Sequence, residues 1–258
     1  MRNHLVIALL LAPACTTLGP TPLASGVSPR PNGRTSVTAG AGIVPGYFLS
    51  QATTDAGGAA ALPSIAIAVE PGDDVPGLVV GARAVSVNID GQFEPILGYR
   101  REFGTANALA LGGFLSGAHS AGAEASAAYQ VDRVAGEVAF EARLTDPGSR
   151  FAVHGTSHAT FSVSQVDGHY CVDSMGNGVD CSNDASVDVD ASATLVAPAL
   201  GVGLALTFTP RATRWLHRAR LAAEVLAARV PRIANGAVDG GRGELSVGLS
   251  LEVSAGAR

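Results

Sequence analysis

What most constrains this chain is a period-two alternation of apolar and small or polar residues, in stretches of about ten residues separated by turns. Val134, Gly136, Val138, Phe140, Ala142 and Leu144 alternate with Ala135, Glu137, Ala139, Glu141 and Arg143. Phe151, Val153, Ala159, Phe161 and Val163 oppose His154, Thr156, His158, Thr160 and Ser162. Leu200, Val202, Leu204, Leu206 and Phe208 oppose Gly201, Gly203, Ala205, Thr207 and Thr209, and Leu245, Val247, Leu249, Leu251 and Val253 oppose Ser246, Gly248, Ser250, Glu252 and Ser254. Only an extended strand sends successive side chains to opposite faces. Further candidates are 35–50, 62–70, 77–88, 92–103, 107–117, 121–132, the early part of 185–209 and 217–230. Pro71-Gly72-Asp73-Asp74, Asp90-Gly91, Gly104-Thr105 and Asp146-Pro147-Gly148 supply turn chemistry between them.

The two faces decide what such strands build. A sandwich needs a bulky inner face and a charged outer one. Here the apolar face is thin, built of Leu, Val, Ala and a few Phe, and the other face is Gly, Ser, Thr and isolated charges. Those are the lipid-facing and lumen-facing sides of a transmembrane barrel. Composition agrees: 47% of residues are hydrophobic and only 15% charged, yet beyond the first residues no run approaches the ~18 apolar residues of a spanning helix. Tyr47, Phe48, Phe93, Phe103, Phe151, Tyr170, Phe208 and Trp215 fall at or near the ends of candidate strands, as two aromatic girdles would. The expectation is an all-β, antiparallel up-and-down transmembrane β-barrel over 34–258. With 185–209 taken as one strand the segments number eleven, but single-chain bacterial barrels have an even number of strands. Moreover, the longest connection (165–184) should lie outside, which makes Phe151–Ser164 an odd-numbered strand, whereas it counts as the eighth. One false or missed strand upstream repairs both, giving ten strands as first choice and twelve as second. The lumen charges Glu94, Arg100, Glu102, Glu137, Glu141, Arg143 and Glu224 would then pair within a narrow interior.

Residues 1–14 read as an export signal: Arg2, the apolar run Leu5–Leu11, then Ala12-Pro13-Ala14. Cys15 follows where bacterial lipoproteins carry their acylated cysteine, although Ala12-Pro13 departs from the usual Leu and small residue. A plainly cleaved signal with Cys15 incidental is the other reading. Residues 15–33, rich in Pro, Gly, Ser and Thr, read as a tether. Cys171 and Cys181 lie in a polar, Gly-rich segment and are expected to form a disulfide in an oxidising compartment. That leaves Cys15 as the odd exported cysteine, which lipidation would explain.

Most chemistry is excluded or unsupported. All 17 basic residues are Arg, so a Walker A loop and lysine Schiff-base chemistry are absent. A net charge of −5 gives no basic face for nucleic acid. His154 and His158 share a strand face but lie about 13 Å apart, too far to bind one metal. His119-Ser120 reads as a short turn without a nucleophile motif. Gly40, Gly42 and Gly46 are misspaced for a dinucleotide loop. Asp167, Asp173, Asp180, Asp184, Asp188 and Asp190 crowd one loop without calcium-loop spacing. No cofactor and no metal is expected.

In general plan (signal, tether, alternating strands) residues 1–258 resemble uncharacterised small outer-membrane β-barrel proteins and lipoproteins of GC-rich Gram-negative bacteria. The resemblance implies no particular functional residue. It implies a bacterial outer-membrane location with lipid as the partner, and a non-enzymatic structural, surface-interaction or narrow-pore role. A soluble exported β-sandwich binding module is the alternative.

Overall fold

A computed structural model of the chain describes residues 15–16, 35–48, 59–85, 92–103, 109–124, 127–146, 149–175, 179–210, 216–234 and 237–256. The expected signal at 1–14, most of the expected tether and Trp215 lie outside them.

Eleven strands are formed: β1 (Cys15–Thr16), β2 (Ser36–Phe48), β3 (Ala59–Glu70), β4 (Leu78–Val85), β5 (Gln92–Phe103), β6 (Leu109–Glu124), β7 (Ala127–Arg143), β8 (Phe151–Val172), β9 (Val187–Phe208), β10 (Leu216–Ala234) and β11 (Ala237–Gly256). From β2 onward each pairs antiparallel with the next, and β11 returns to β2, so ten strands close into a barrel. β1 stands outside the ring, paired with Tyr47 and Phe48 at the far end of β2. Ring closure removes the β-sandwich alternative, and the count settles on ten rather than twelve. Followed strand by strand, the registers bring Ser36 round to the level of Phe48. That stagger of about 12 residues tilts ten strands by about 40° and gives a cylinder about 20 Å across.

The strand list needs one correction. The segment expected at 121–132 is not a strand of its own. β6 runs on through His119-Ser120 to Glu124, and β7 begins at Ala127. Phe151–Val172 thereby becomes the seventh strand of the ring, and the parity problem disappears. His119 is therefore a strand residue and not part of a turn.

The wall is uneven in height. β4 has 8 residues, whereas β8 and β9 have 22 each and continue above the others as part of a β6–β9 sheet. We call the end carrying the β8–β9 connection upper. At the lower end, Gly72 and Gly77 take positive φ (81° and 84°) between β3 and β4. Gly77 is also forced by proximity, since its carbonyl accepts the Arg100 amide at 2.9 Å and a Cβ there would meet the Arg100 carbonyl.

Candidate functional site: a charged interior inside an apolar belt

Strand parity points one set of side chains inward, and on most strands that set is polar. Glu94, beside Ile96 on the inner face of β5, is 1% exposed. Arg83 lies directly across from it on β4 and pairs with it. Arg133 of β7 reaches the same carboxylate at 2.5 Å, and the Ser116 hydroxyl of β6 donates to it at 2.7 Å. Lower down, Thr160 donates to Glu137 at 3.3 Å, and His158 Nδ1 lies 3.4 Å from Glu224. Lower still, Arg220 of β10 bridges Glu252 at 3.0 Å and Glu141 of β7 at 3.3 Å, with His154 Nδ1 at 2.8 Å from Glu141. Arg100 meets Glu70 at 2.6 Å, and Arg218 donates to Ser254 at 3.2 Å.

β7 and β10 are three places apart in the ring, so the Arg220–Glu141 bond crosses the lumen. Val79, Ile96, Phe114 and Ala139 add an apolar cluster between the charged groups. Side chains thus fill the interior, as a ten-strand cylinder of this width permits.

Of the charges expected there, Glu94, Arg100, Glu137, Glu141 and Glu224 lie inside and are paired or hydrogen-bonded as above. Glu102 is at the lower rim, 3.7 Å from Arg100 with its side chain 26% exposed. Arg143 does not cross the lumen; it donates to the carbonyls of Asp146 and Ser149 and closes the β7–β8 turn. Arg83, Arg133, Arg218, Arg220, Glu70 and Glu252 complete the network and were not among the expected charges.

The outer face is the converse. Ile65, Ile67, Leu97, Leu115, Val138, Phe140, Leu204, Leu206, Leu249 and Leu251 are all exposed. On β9 the outward row Val196, Pro198, Leu200, Val202, Leu204 and Leu206 contains no polar residue. Ten residue steps at this tilt rise about 25 Å. Phe103, Phe151 and Phe208 mark the lower margin, with the rings of Phe151 and Phe208 4.9 Å apart, and Phe93 and Phe161 face outward nearer the top. The side chains of Tyr47, Phe48 and Tyr170 lie outside the described residues.

Above the belt the polarity of both faces inverts. On β7 the outward row passes from Val134 to Asp132 and Gln130; on β8, from Val163 to Gln165, Asp167 and His169; on β9, from Val196 to Thr194, Ser192 and Asp190. These groups bond to one another: His119 to Asp132 at 2.7 Å, Gln130 to Asp132 at 2.9 Å, Thr194 to Gln165 at 2.7 Å, Gln165 to Ser192 at 2.8 Å and His169 to Asp190 at 3.1 Å. His119 and Gln130 together hold the Asp132 carboxyl below its ordinary range. On the inner face at the same height, Val131 and Val166 are buried.

At the top, Cys171 and Cys181 form a disulfide with their Cα atoms 5.1 Å apart, as expected. Replacing both with Ser should lower stability by about 2–3 kcal/mol on the chain-entropy account, read from chemical denaturation with and without reductant. A cost that persists when wild type is also reduced would show that the bond is not its source. His169 lies beside the two sulfurs, but both are committed to the bond. Asp173 and Asp180 accept the amides of Met175 and Ser182, each at 2.8 Å, and so cap turns in this connection. His119 Nδ1 is oriented by Asp132, as a catalytic base would be, but no described hydroxyl or thiol is hydrogen-bonded to it. Cys15 stands beside Phe48 at the upper end of β2.

No protein-family profile matches the chain, and none of the curated proteins matches it.

Proposed function

We propose that this chain is a non-enzymatic β-barrel of a bacterial outer membrane, exported by a cleaved signal, with a structural or surface-interaction role and at most a narrow pore. The observation that supports it is the inversion at one level. A charged interior inside an apolar exterior gives way, above that level, to an apolar interior under a polar exterior. In water the belt would be untenable. Ordinary soluble monomers expose contiguous apolar patches of roughly 300–600 Å². A belt about 25 Å high around a cylinder about 20 Å across covers on the order of 1,500 Å². Its height matches the apolar band of a transmembrane barrel, about 25 Å. The β6–β9 sheet, with its disulfide and carboxylates, stands outside that band as an exposed surface. Acylation of Cys15 would add an anchor to a barrel already held by its belt.

Fractionation after removal of the signal tests this reading. The protein should remain with membranes in carbonate or high salt and come into solution only with detergent. Recovery as a soluble monomer without detergent would refute it.

The filled lumen carries its own expected result. In planar bilayers the protein should give small, infrequent conductance events and no steady porin-like current, because paired charges close the interior. Replacing Glu137 should raise conductance only modestly. Replacing Arg143 should add little, since it holds a turn at the rim. A large stable current from wild type would contradict the filled interior.

A further inference from the structure

The hydrogen-bonded wall between β9 and β10 ends early. Its ladder runs from Phe208 and Ala219 up to Ala199 and Ala228 and stops there, although β9 extends to Val187 and β10 to Ala234. The sequence gives the reason: the next residue on β9 is Pro198, which has no N–H to donate. Pro231 removes another donor higher on β10.

A groove of about 460 Å³ opens on the outer side at this point. Pro198 and Leu200 of β9, Ala227 and Arg229 of β10, and Gly243 and Leu245 of β11 line it. Small residues leave it open: by register Ala227 lies between the exposed Leu200 and Leu245, and nothing lies within 4 Å of where a Cβ of Gly243, the partner of Arg229, would stand. Its single charge, Arg229, is exposed, and none of the described residues forms an ion pair with it. By register Arg229 is one residue above the last rung of the ladder, near the upper margin of the belt.

We propose that this groove binds an anionic, phosphate-bearing lipid, with an acyl chain between β9 and β11 and the phosphate on Arg229. The proposal rests on the membrane reading above. An apolar groove in the upper part of the belt, with one guanidinium beside the belt's margin, matches a lipid of the upper leaflet, chain below and headgroup above. A guanidinium also suits a phosphate by charge and by its donor geometry.

Purified protein in a mild detergent would be titrated with dioleoyl-phosphatidylglycerol and, separately, with dioleoyl-phosphatidylcholine, and bound lipid counted by native mass spectrometry. One phosphatidylglycerol per chain should be retained, with a preference over phosphatidylcholine of about fivefold, the scale of one arginine against an anionic headgroup. Arg229→Gln should abolish the preference and leave the residual binding of both lipids. Gly243→Phe, whose Cβ would meet nothing within 4 Å, adds a ring beside Arg229 and should remove retention of both. Heat-modifiable gel migration would confirm that each variant is folded. Equal binding of the two lipids by wild type, an undiminished preference in Arg229→Gln, or retained lipid in folded Gly243→Phe would each overturn the proposal. Protein that needs no detergent at all would overturn the membrane reading, and this proposal with it. Protein that enters detergent but shows no preference would overturn the groove alone.

Discussion

Leu204→Arg is expected to destabilise the barrel by about 2–4 kcal/mol and to reduce the yield of assembled protein. Leu204 is 58% exposed in the middle of the belt on β9, flanked by Val202 and Leu206, with no acidic residue in the outward row of its strand within the belt to pair the charge. The comparison that isolates the effect is Thr194→Arg, outward on the same strand but above the belt, where the loss should stay at about 1 kcal/mol, the scale of the exposed hydrogen bond to Gln165 that it removes. Urea unfolding in detergent or lipid, with heat-modifiable migration as the assembly readout, measures both. Equal losses at the two sites would count against the belt as a lipid-facing surface. Gly203 is no substitute as a control, even though it points inward. A Cβ there would approach the Ala223 carbonyl at 2.5 Å and Glu224 Cβ at 2.7 Å, so an arginine would fail on sterics whatever the solvent outside.

Removal of the Glu94 carboxylate should be as damaging from the inside. Glu94→Ala takes away the carboxylate that Arg83 and Arg133 share, and breaking a buried pair by deleting one partner costs about 3–5 kcal/mol. The network need not be stabilising as a whole, because desolvating three charges offsets much of their attraction. Replacing Arg83, Glu94 and Arg133 together with Met, Leu and Met should therefore recover most of the loss. A triple variant as unstable as Glu94→Ala would mean that the arginines are held chiefly by groups other than Glu94. Unfolding free energies of the wild type, single and triple variants decide the matter.

How much of this was legible in the sequence depended on where the alternation keeps one sign. Along β7, β8, β9 and β11 within the belt, the large apolar residues hold one parity and mostly small or polar ones the other, and those faces are the ones observed. Strand ends were read short wherever the strand leaves the belt. β8 runs eight residues past Ser164, but at Gln165 the outward parity becomes polar and the inward parity apolar, so the alternation changes sign while the strand continues. The β6–β7 hairpin is obscured for a different reason. The sequence between β6 and β7, Ala125-Ser126, offers no Gly, Pro, Asn or Asp, whereas Gly117-Ala118-His119-Ser120 within β6 has the composition of a turn. Arg133 was lost from the lumen set with that hairpin, and Arg83 because β4 alternates poorly, with Val79 and Val80 on opposite faces. Pairings such as Arg220 with Glu141, 79 residues apart, follow from ring order and stagger, which no local pattern contains.

The division of each strand into two unlike faces also bears on the route this chain must take under the proposed function. A protein bound for an outer membrane first has to cross an inner one, where any stretch of about 20 apolar residues is retained as a helix. Wound as a helix, β8 would place His154, Thr156, His158, Thr160, Ser162 and Ser164 on two opposite sides, and β10 would do the same with Arg218, Arg220, Glu224 and Arg229, so neither keeps a single polar face. At roughly 2.5–3.5 kcal/mol for each charge at a helix centre, a segment such as β10 is released to the far side, and the histidines and hydroxyls of β8 act in the same direction. Their apolar surface becomes contiguous only once the ring closes, so the alternation that builds the barrel also delays its affinity for lipid until assembly.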